Sequence, residues 1–373
     1  MKIALVHEFF NQFGGGERVF LALKEVFPSA DLFAILLNPA RLPEEIQDLK
    51  IQTTFLQRWP VWLRRRHRLL LPLYPLAVEQ LDLSSYDLVI VDSSSFGKGI
   101  LTRPDAALVC YCHTPTAFLW HYTHQYLEEQ GLSNISKTFV KKILDHLRIW
   151  DYQAAQRVDF FVANSKNVQQ RIKKYYRRDS EVIYPPLFFH AQDNKEVAQQ
   201  KGFRSYFLVV SRLSRYKKID LVISAFRKRP NDQLQIIGQG PDYERLKKMA
   251  GPNVEFVGFV SDEMLKKYYQ NCRALIFPGE EDFGLVPIEA MAFGKPVIAY
   301  QKGGLLESVI ENKNGIFFSK TTVSDLLDAL ERFEKLESQF NPEAIKESIR
   351  QFSKEVFQRQ IRQFIQRVTQ KKI

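Results

Sequence analysis

Short runs of Val, Ile, Leu and Phe alternate with longer stretches of helical period along most of the chain. The runs predict strands at 2–7, 32–37, 87–92, 107–112 and 159–163. A second series follows at 206–210, 234–238, 254–257, 274–278 and 296–300. Many are apolar at nearly every position, as parallel strands buried on both faces require. Two βα series in one chain predict two doubly wound α/β domains. Glu181-Val182-Ile183 ends a further strand at Tyr184-Pro185-Pro186, where two prolines cannot propagate a helix. The expected domains are therefore 1–185 and 186–353, with a polar stretch at 193–201. Phe357, Ile361, Phe364, Ile365 and Val368 then recur at helical spacing and predict an amphipathic terminal helix over 354–370.

Composition narrows the class. At 373 residues, with 45% hydrophobic and 25% charged, the chain can bury two ordinary cores. No run approaches 18 uncharged apolar residues, so no spanning helix is expected. The first apolar run meets Glu8 too early for a signal peptide. Three cysteines make no full disulfide framework, and Cys110 and Cys112 have no second pair to form a zinc site. A reducing cytoplasm is the expected compartment. The net charge of +11 calls for acidic partners. Residues 51–78 hold five arginines and no acidic residue. In 59–74 four of those arginines mix with Trp59, Trp62, leucines and Tyr74, which suits the headgroup layer of an anionic membrane. The alternative is a surface helix with a solvated basic face. No zinc-finger or RNP motif appears, so nucleic acid is not an expected partner.

The most informative segment runs from Phe277 to Ile298. A strand ends near Pro278, and an acidic loop holding Glu281, Phe283 and Gly284 follows. Pro287 suits the first position of a helix and Gly294 its end. The amides at such a helix start, around Gly284, Leu285 and Val286, favour phosphate oxygens at the carboxyl end of a parallel strand. Glu281 and Glu289 flank the turn, and carboxylates suit sugar and ribose hydroxyls. Glu289 has an alternative reading as a carboxylate in the first helical turn, stabilised by the macrodipole.

Glu281, Phe283-Gly284-Leu285 and Glu289-Ala290-Met291-Ala292 resemble the E-x7-E signature of family-four retaining glycosyltransferases. The resemblance implies a GT-B fold, two Rossmann-like domains facing a cleft, with the terminal helix 354–373 returning to the first. It implies that Arg212 and Lys217, five apart after the strand 206–210, neutralise the donor diphosphate in place of a metal. The family usually has glycine where Lys218 stands here. His113, past a strand end in Cys112-His113-Thr114-Pro115, matches the histidine that hydrogen-bonds the transferred sugar. That wording is closest to bacterial O-antigen and polysaccharide mannosyltransferases. The glycines of Phe13-Gly14-Gly15-Gly16-Glu17 match the loop closing over donor and acceptor, Gly258-Phe259 the base-contacting loop, and Gly303-Gly304 a pair near the phosphates. Asp92-Ser93-Ser94-Ser95 follows a strand on the acceptor side. His7, His67, His121, His124, His146 and His190 read as structural.

The expected activity is retaining, metal-independent transfer of a sugar from a nucleotide-sugar, GDP-mannose by preference, with no cofactor. The acceptor is a glycan or lipid-linked glycan of cell-surface polysaccharide, and contact with the inner face of the plasma membrane runs through 59–74. UDP-sugar transfer, a GT-B-like nucleotide-sugar epimerase and a silent subunit of a polysaccharide assembly complex are the alternatives. The epimerase lacks this signature, and the silent subunit has no need of Glu281, Arg212, Lys217 and His113 together.

Overall fold

The structure is a computed structural model that describes residues 1–64, 66–129, 133–189 and 206–370. Arg65, His190 and the stretch 193–201 lie outside the described residues. The described chain forms two compact units, Met1–Pro186 with Lys354–Ile373, and Leu187–Ser353.

The first unit is built on β1 (Ile3–Phe10), β2 (Asp31–Leu37), β3 (Ile51–Thr53), β4 (Leu88–Ser93), β5 (Ala107–Cys112), β6 (Phe160–Ala163) and β7 (Ser180–Val182). They form a seven-stranded sheet of order β3-β2-β1-β4-β5-β6-β7, parallel throughout. The second unit holds β8 (Tyr206–Val210), β9 (Gln233–Ile237), β10 (Val254–Gly258), β11 (Cys272–Phe277), β12 (Val297–Tyr300) and β13 (Gly315–Phe318). These form a six-stranded parallel sheet of order β10-β9-β8-β11-β12-β13. The apolar runs explain the burial: β4 and β5 are buried at every position, and Phe207, Val209, Leu234, Ile276 and Ile298 sit in the second core.

Every run predicted as a strand forms one, with ends displaced by at most three residues. β1 runs through His7 and Glu8 to Phe10 because both polar side chains find buried partners. β3 and β13 lie outside the predicted set. The terminal helix spans Lys354–Gln370 and buries all five predicted residues. It packs within the first unit, with Phe357 edge-on to Tyr111 at 5.9 Å and Lys354 Nζ donating to Glu25 Oε1 at 2.7 Å.

Each sheet has one place where strand order reverses, between β1 and β4 in the first and between β8 and β11 in the second. In open α/β sheets, ligands bind beyond the carboxyl ends of the strands at this switch point.

Candidate active site

In the second unit, the loops leaving β8 and β11 carry the predicted diphosphate and sugar groups. Arg212 is exposed just beyond β8. Lys217 ends a 3₁₀ turn, Arg215–Lys217, and its ammonium pairs with Glu281 Oε1. The β11 loop lies against the turn, since a Cβ on Gly279 would sit 3.4 Å from Lys217 Cα. Burial, joined by the nearby Arg212 charge, pulls Lys217 down to about 8 against the opposing carboxylate of Asp282. Burial is the main cause, and Arg212 adds a like charge beside an ammonium already paired with Glu281.

Backbone packing holds Glu281. Gly304 N donates to Glu281 O at 2.8 Å, and a Cβ on Gly303, at φ 68°, would lie 2.4 Å from that same oxygen. Gly303 and Gly304, expected near the phosphates, thus brace the acidic loop. Gly284, at φ 94°, is the residue before the Leu285–Ala292 helix. That helix starts two residues ahead of the predicted Pro287, because left-handed Gly284 turns the chain at once. Leu285 and Val286, half-buried, form its first turn.

The earlier start corrects the reading of Glu289. It stands beyond the first turn, where the macrodipole contribution has faded. It is buried, and Tyr269 Oη donates to its Oε2 at 2.9 Å. Phe283 points inward, edge-on to Phe352 at 5.2 Å, so its side chain is part of the packing of the second unit. Gly258 ends β10 at φ 83°, followed by Phe259, which is 76% exposed.

In the first unit, Gly15 and Gly16 open the Gly15–Val26 helix after β1. A Cβ on Gly16 would lie 3.7 Å from both His113 Nε2 and His7 Cε1, so the glycine turn sits beside both rings. His113, just past β5, donates from Nε2 to Asp92 Oδ1 at 2.6 Å. His7 donates from Nδ1 to Asp92 Oδ2 at 2.7 Å. Parallel pairing of β1 with β4 sets His7 opposite Asp92. Burial works against charge on both histidines, yet Asp92 raises His113, and Asp92 with Glu17 pushes His7 up to about 10. Burial also opposes the charge of Asp92, but His113 and His7 hold it below the ordinary carboxylate range.

Beside this pair, Glu8 accepts from Ser93 Oγ at 2.7 Å, Ser95 N at 2.7 Å and Gly97 N at 2.7 Å, which fixes the loop after β4. Lys98, fully buried beyond that loop, donates to Asp151 Oδ1 at 2.5 Å. The sequence reading missed His7, Glu8 and Glu17. The available signal was their position near the carboxyl end of β1, which becomes telling only once β1 is known to neighbour β4.

The described residues of the basic segment 59–74 fold as short helical turns, Val61–Arg64 after Pro60 and His67–Leu70, and the latter continues through a 3₁₀ turn that holds Pro72. Trp62 is 61% and Leu69 58% exposed, while Leu70 and Tyr74 are buried. The Arg66 guanidinium lies 5.8 Å from the Trp62 ring centre. Among the described residues no helix is long and apolar enough to cross a membrane.

Comparison with known proteins follows the same division. An uncharacterised glycosyltransferase of Methanocaldococcus jannaschii is 28% identical over 52% of this chain and 54% of its own. The α-1,3/1,6-mannosyltransferase ALG2 of Saccharomyces cerevisiae is 24% identical over 82% of this chain and 71% of its own. The chain spans about half the length of the first curated relatives it matches, 54% and 53%. Among solved structures, Anabaena HepE in complex with UDP-glucose aligns with a TM-score of 0.70 at 19% identity, covering 98% of this chain and 99% of that one. The apo lipopolysaccharide outer core galactosyltransferase WaaB aligns at 0.65 and 19%, covering 98% and 99%; at these identities the likeness establishes the fold. With residues 13–187 matching the Glycosyltransferase Family 4 model and 191–356 the Glycosyl transferases group 1 model, the chain belongs to the family-four-type glycosyltransferases of GT-B fold.

Proposed function

We propose that the protein transfers a mannosyl group, with retention, from GDP-mannose to a glycan or lipid-linked glycan acceptor. The observation that carries this reading is the gathering of Arg212, Lys217 and Glu281 at the β8/β11 switch point beside the start of the Leu285–Ala292 helix. Two cations and a helix start suit a diphosphate that must depart with its charge. Arg212 and Lys217 supply the positive charge that a divalent metal would otherwise provide. Glu281 holds and polarises the transferred sugar, Glu289 serves the ribose by exchanging Tyr269 for a ribose hydroxyl, and His113 hydrogen-bonds the sugar. The acceptor oxygen attacks from the face that the phosphate leaves. The bond between the anomeric carbon and the diphosphate oxygen breaks as the new glycosidic bond forms, and the acceptor's proton passes to the departing diphosphate.

Mannose is favoured by the mannosyltransferases among the relatives. A second reading, a UDP-sugar donor, is favoured by fold neighbours solved with UDP and UDP-glucose. Peripheral contact with an anionic membrane, such as the inner face of the plasma membrane, is part of the proposal, supported by exposed Trp62 and Leu69 beside exposed Arg58 and Arg66. The test is transfer by purified protein from GDP-mannose against UDP-sugars, with product anomer read by NMR. Release of a β-linked product from an α-linked donor would reject retention, and absence of transfer or donor hydrolysis with every donor would reject the enzyme reading.

A further inference from the structure

We infer that Asp92 is a positioning residue for His113, and that His7 and Glu17 extend its hold to the glycine turn, so that one chain of polar contacts sets the ring and the turn together. The inference rests on the proposed sugar-binding part of His113.

The chain is continuous. Gly14 N donates to Glu17 Oε2 at 2.9 Å, and Glu17 Oε1 lies 3.9 Å from His7 Nε2. His7 Nδ1 donates to Asp92 Oδ2 at 2.7 Å, and His113 Nε2 donates to Asp92 Oδ1 at 2.6 Å. The interior members are nearly sealed, with side-chain exposures of 8% for Glu17, 9% for His7 and 1% for Asp92. His113 is 18% exposed. Its backbone N donates to Ser93 O at 2.8 Å, and its ring stands edge-on to Tyr111 at 5.4 Å. With Nε2 committed to Asp92, Nδ1 is the ring nitrogen left for a ligand.

A buried carboxylate between two imidazoles is an expensive way to hold strands together; apolar side chains of similar volume do it as well or better. At a switch point it has another use. The carboxylate favours the cationic form of His113, in which Nδ1–H is a donor for a sugar hydroxyl or phosphate oxygen. The titratable groups facing His113 are Asp92, His7 and Glu8. Glu17 stands beyond His7 and Lys98 beyond Glu8. The Tyr111 hydroxyl turns away to donate to Ile183 O at 2.9 Å.

The test is a ¹⁵N-imidazole NMR titration of the full chain, run on the wild type, Asp92→Asn, His7→Gln and Glu17→Gln, with melting curves alongside. The wild-type His113 midpoint is expected above the ordinary histidine value. Asp92→Asn lowers it, because the carboxylate is gone. Glu17→Gln, which never touches His113, raises it, because a less cationic His7 repels it less. In transfer assays Asp92→Asn is expected to lower kcat about 100-fold, with less than about threefold change in donor KM and partial recovery at lower pH, where the imidazolium forms unaided. A merely structural role would give no recovery with pH. An unchanged His113 midpoint in a folded Asp92→Asn overturns the inference; should that variant not fold, unchanged midpoints in both His7→Gln and Glu17→Gln overturn it. Failure of the wild type to transfer any sugar would reject the proposed function and leave the titration to decide this inference alone.

Discussion

The two sheets reverse strand order at equivalent places, yet they furnish those places in opposite ways. In the second unit, charged side chains stand half-exposed on loops whose paths are fixed by backbone contacts: Gly303 and Gly304 against the acidic loop, Gly279 against the lysine turn. In the first unit, side chains fix one another. Glu8 gathers the serine loop, Asp92 joins two histidines, and Lys98 is locked to Asp151. A site held by backbone leaves its charged side chains free to exchange partners, as the proposed grip on a diphosphate requires. A site held by buried charge pairs fixes a ring nitrogen in one orientation.

Several substitutions would break or sharpen that contrast. Lys98→Met leaves Asp151 as an uncompensated buried charge and should cost about 3–5 kcal/mol in urea unfolding. A loss well under 1 kcal/mol would mean that the first unit does not depend on its charge pairs. Arg212→Ala should lower turnover about 100-fold or more with melting unchanged, because its side chain is exposed. Near-normal turnover removes it from the mechanism. Gly303→Ala should destabilise by about 1–3 kcal/mol through its left-handed φ and its closeness to Glu281 O. An unshifted melt would show that the acidic loop is not held by this backbone contact.

The pH dependence sharpens the second site further. Lys217, drawn down to about 8, is charged below that pH and neutral above it. A diphosphate must then bring a proton with it, so nucleoside diphosphate affinity should fall above pH 8, by at most about tenfold per pH unit. Calorimetry in buffers of different ionisation enthalpy would detect the proton uptake, and flat affinity to pH 9.5 would contradict it. The smallest expected effect lies on the basic segment. Arg64→Glu with Arg66→Glu should weaken binding to anionic vesicles by about 1 kcal/mol per lost cation in a flotation assay. Unchanged flotation would remove that segment from membrane contact.

The same contrast explains what could be read in advance. Arg212 and Lys217 lie five apart, and Glu281 and Glu289 eight apart, each within one strand–loop–helix step, so local spacing displays them. His7, Glu17, Asp92 and His113 are scattered over the first third of the chain, and only the β1–β4–β5 pairing brings them together. Strand alternation offers no hint of that order. His7 and Glu8 even look like the end of an apolar run, because a polar side chain in mid-strand is legible only when its buried partner is known. Pro287 misleads in the other direction: its preference for a helix start is real, but a left-handed glycine two residues before the helix's second position outranks it.

The central claim is that Arg212 and Lys217 grip the diphosphate of a nucleotide-sugar. Its most direct test is thermal shift of the wild type, Arg212→Ala and Lys217→Ala against GDP-mannose, UDP-glucose and an ADP-sugar, since a ligand bound only by the native state raises Tm. The account predicts that one donor, GDP-mannose, raises Tm in the wild type and that both substitutions abolish the rise. A rise that survives both substitutions, or the absence of any rise with every donor, would contradict it.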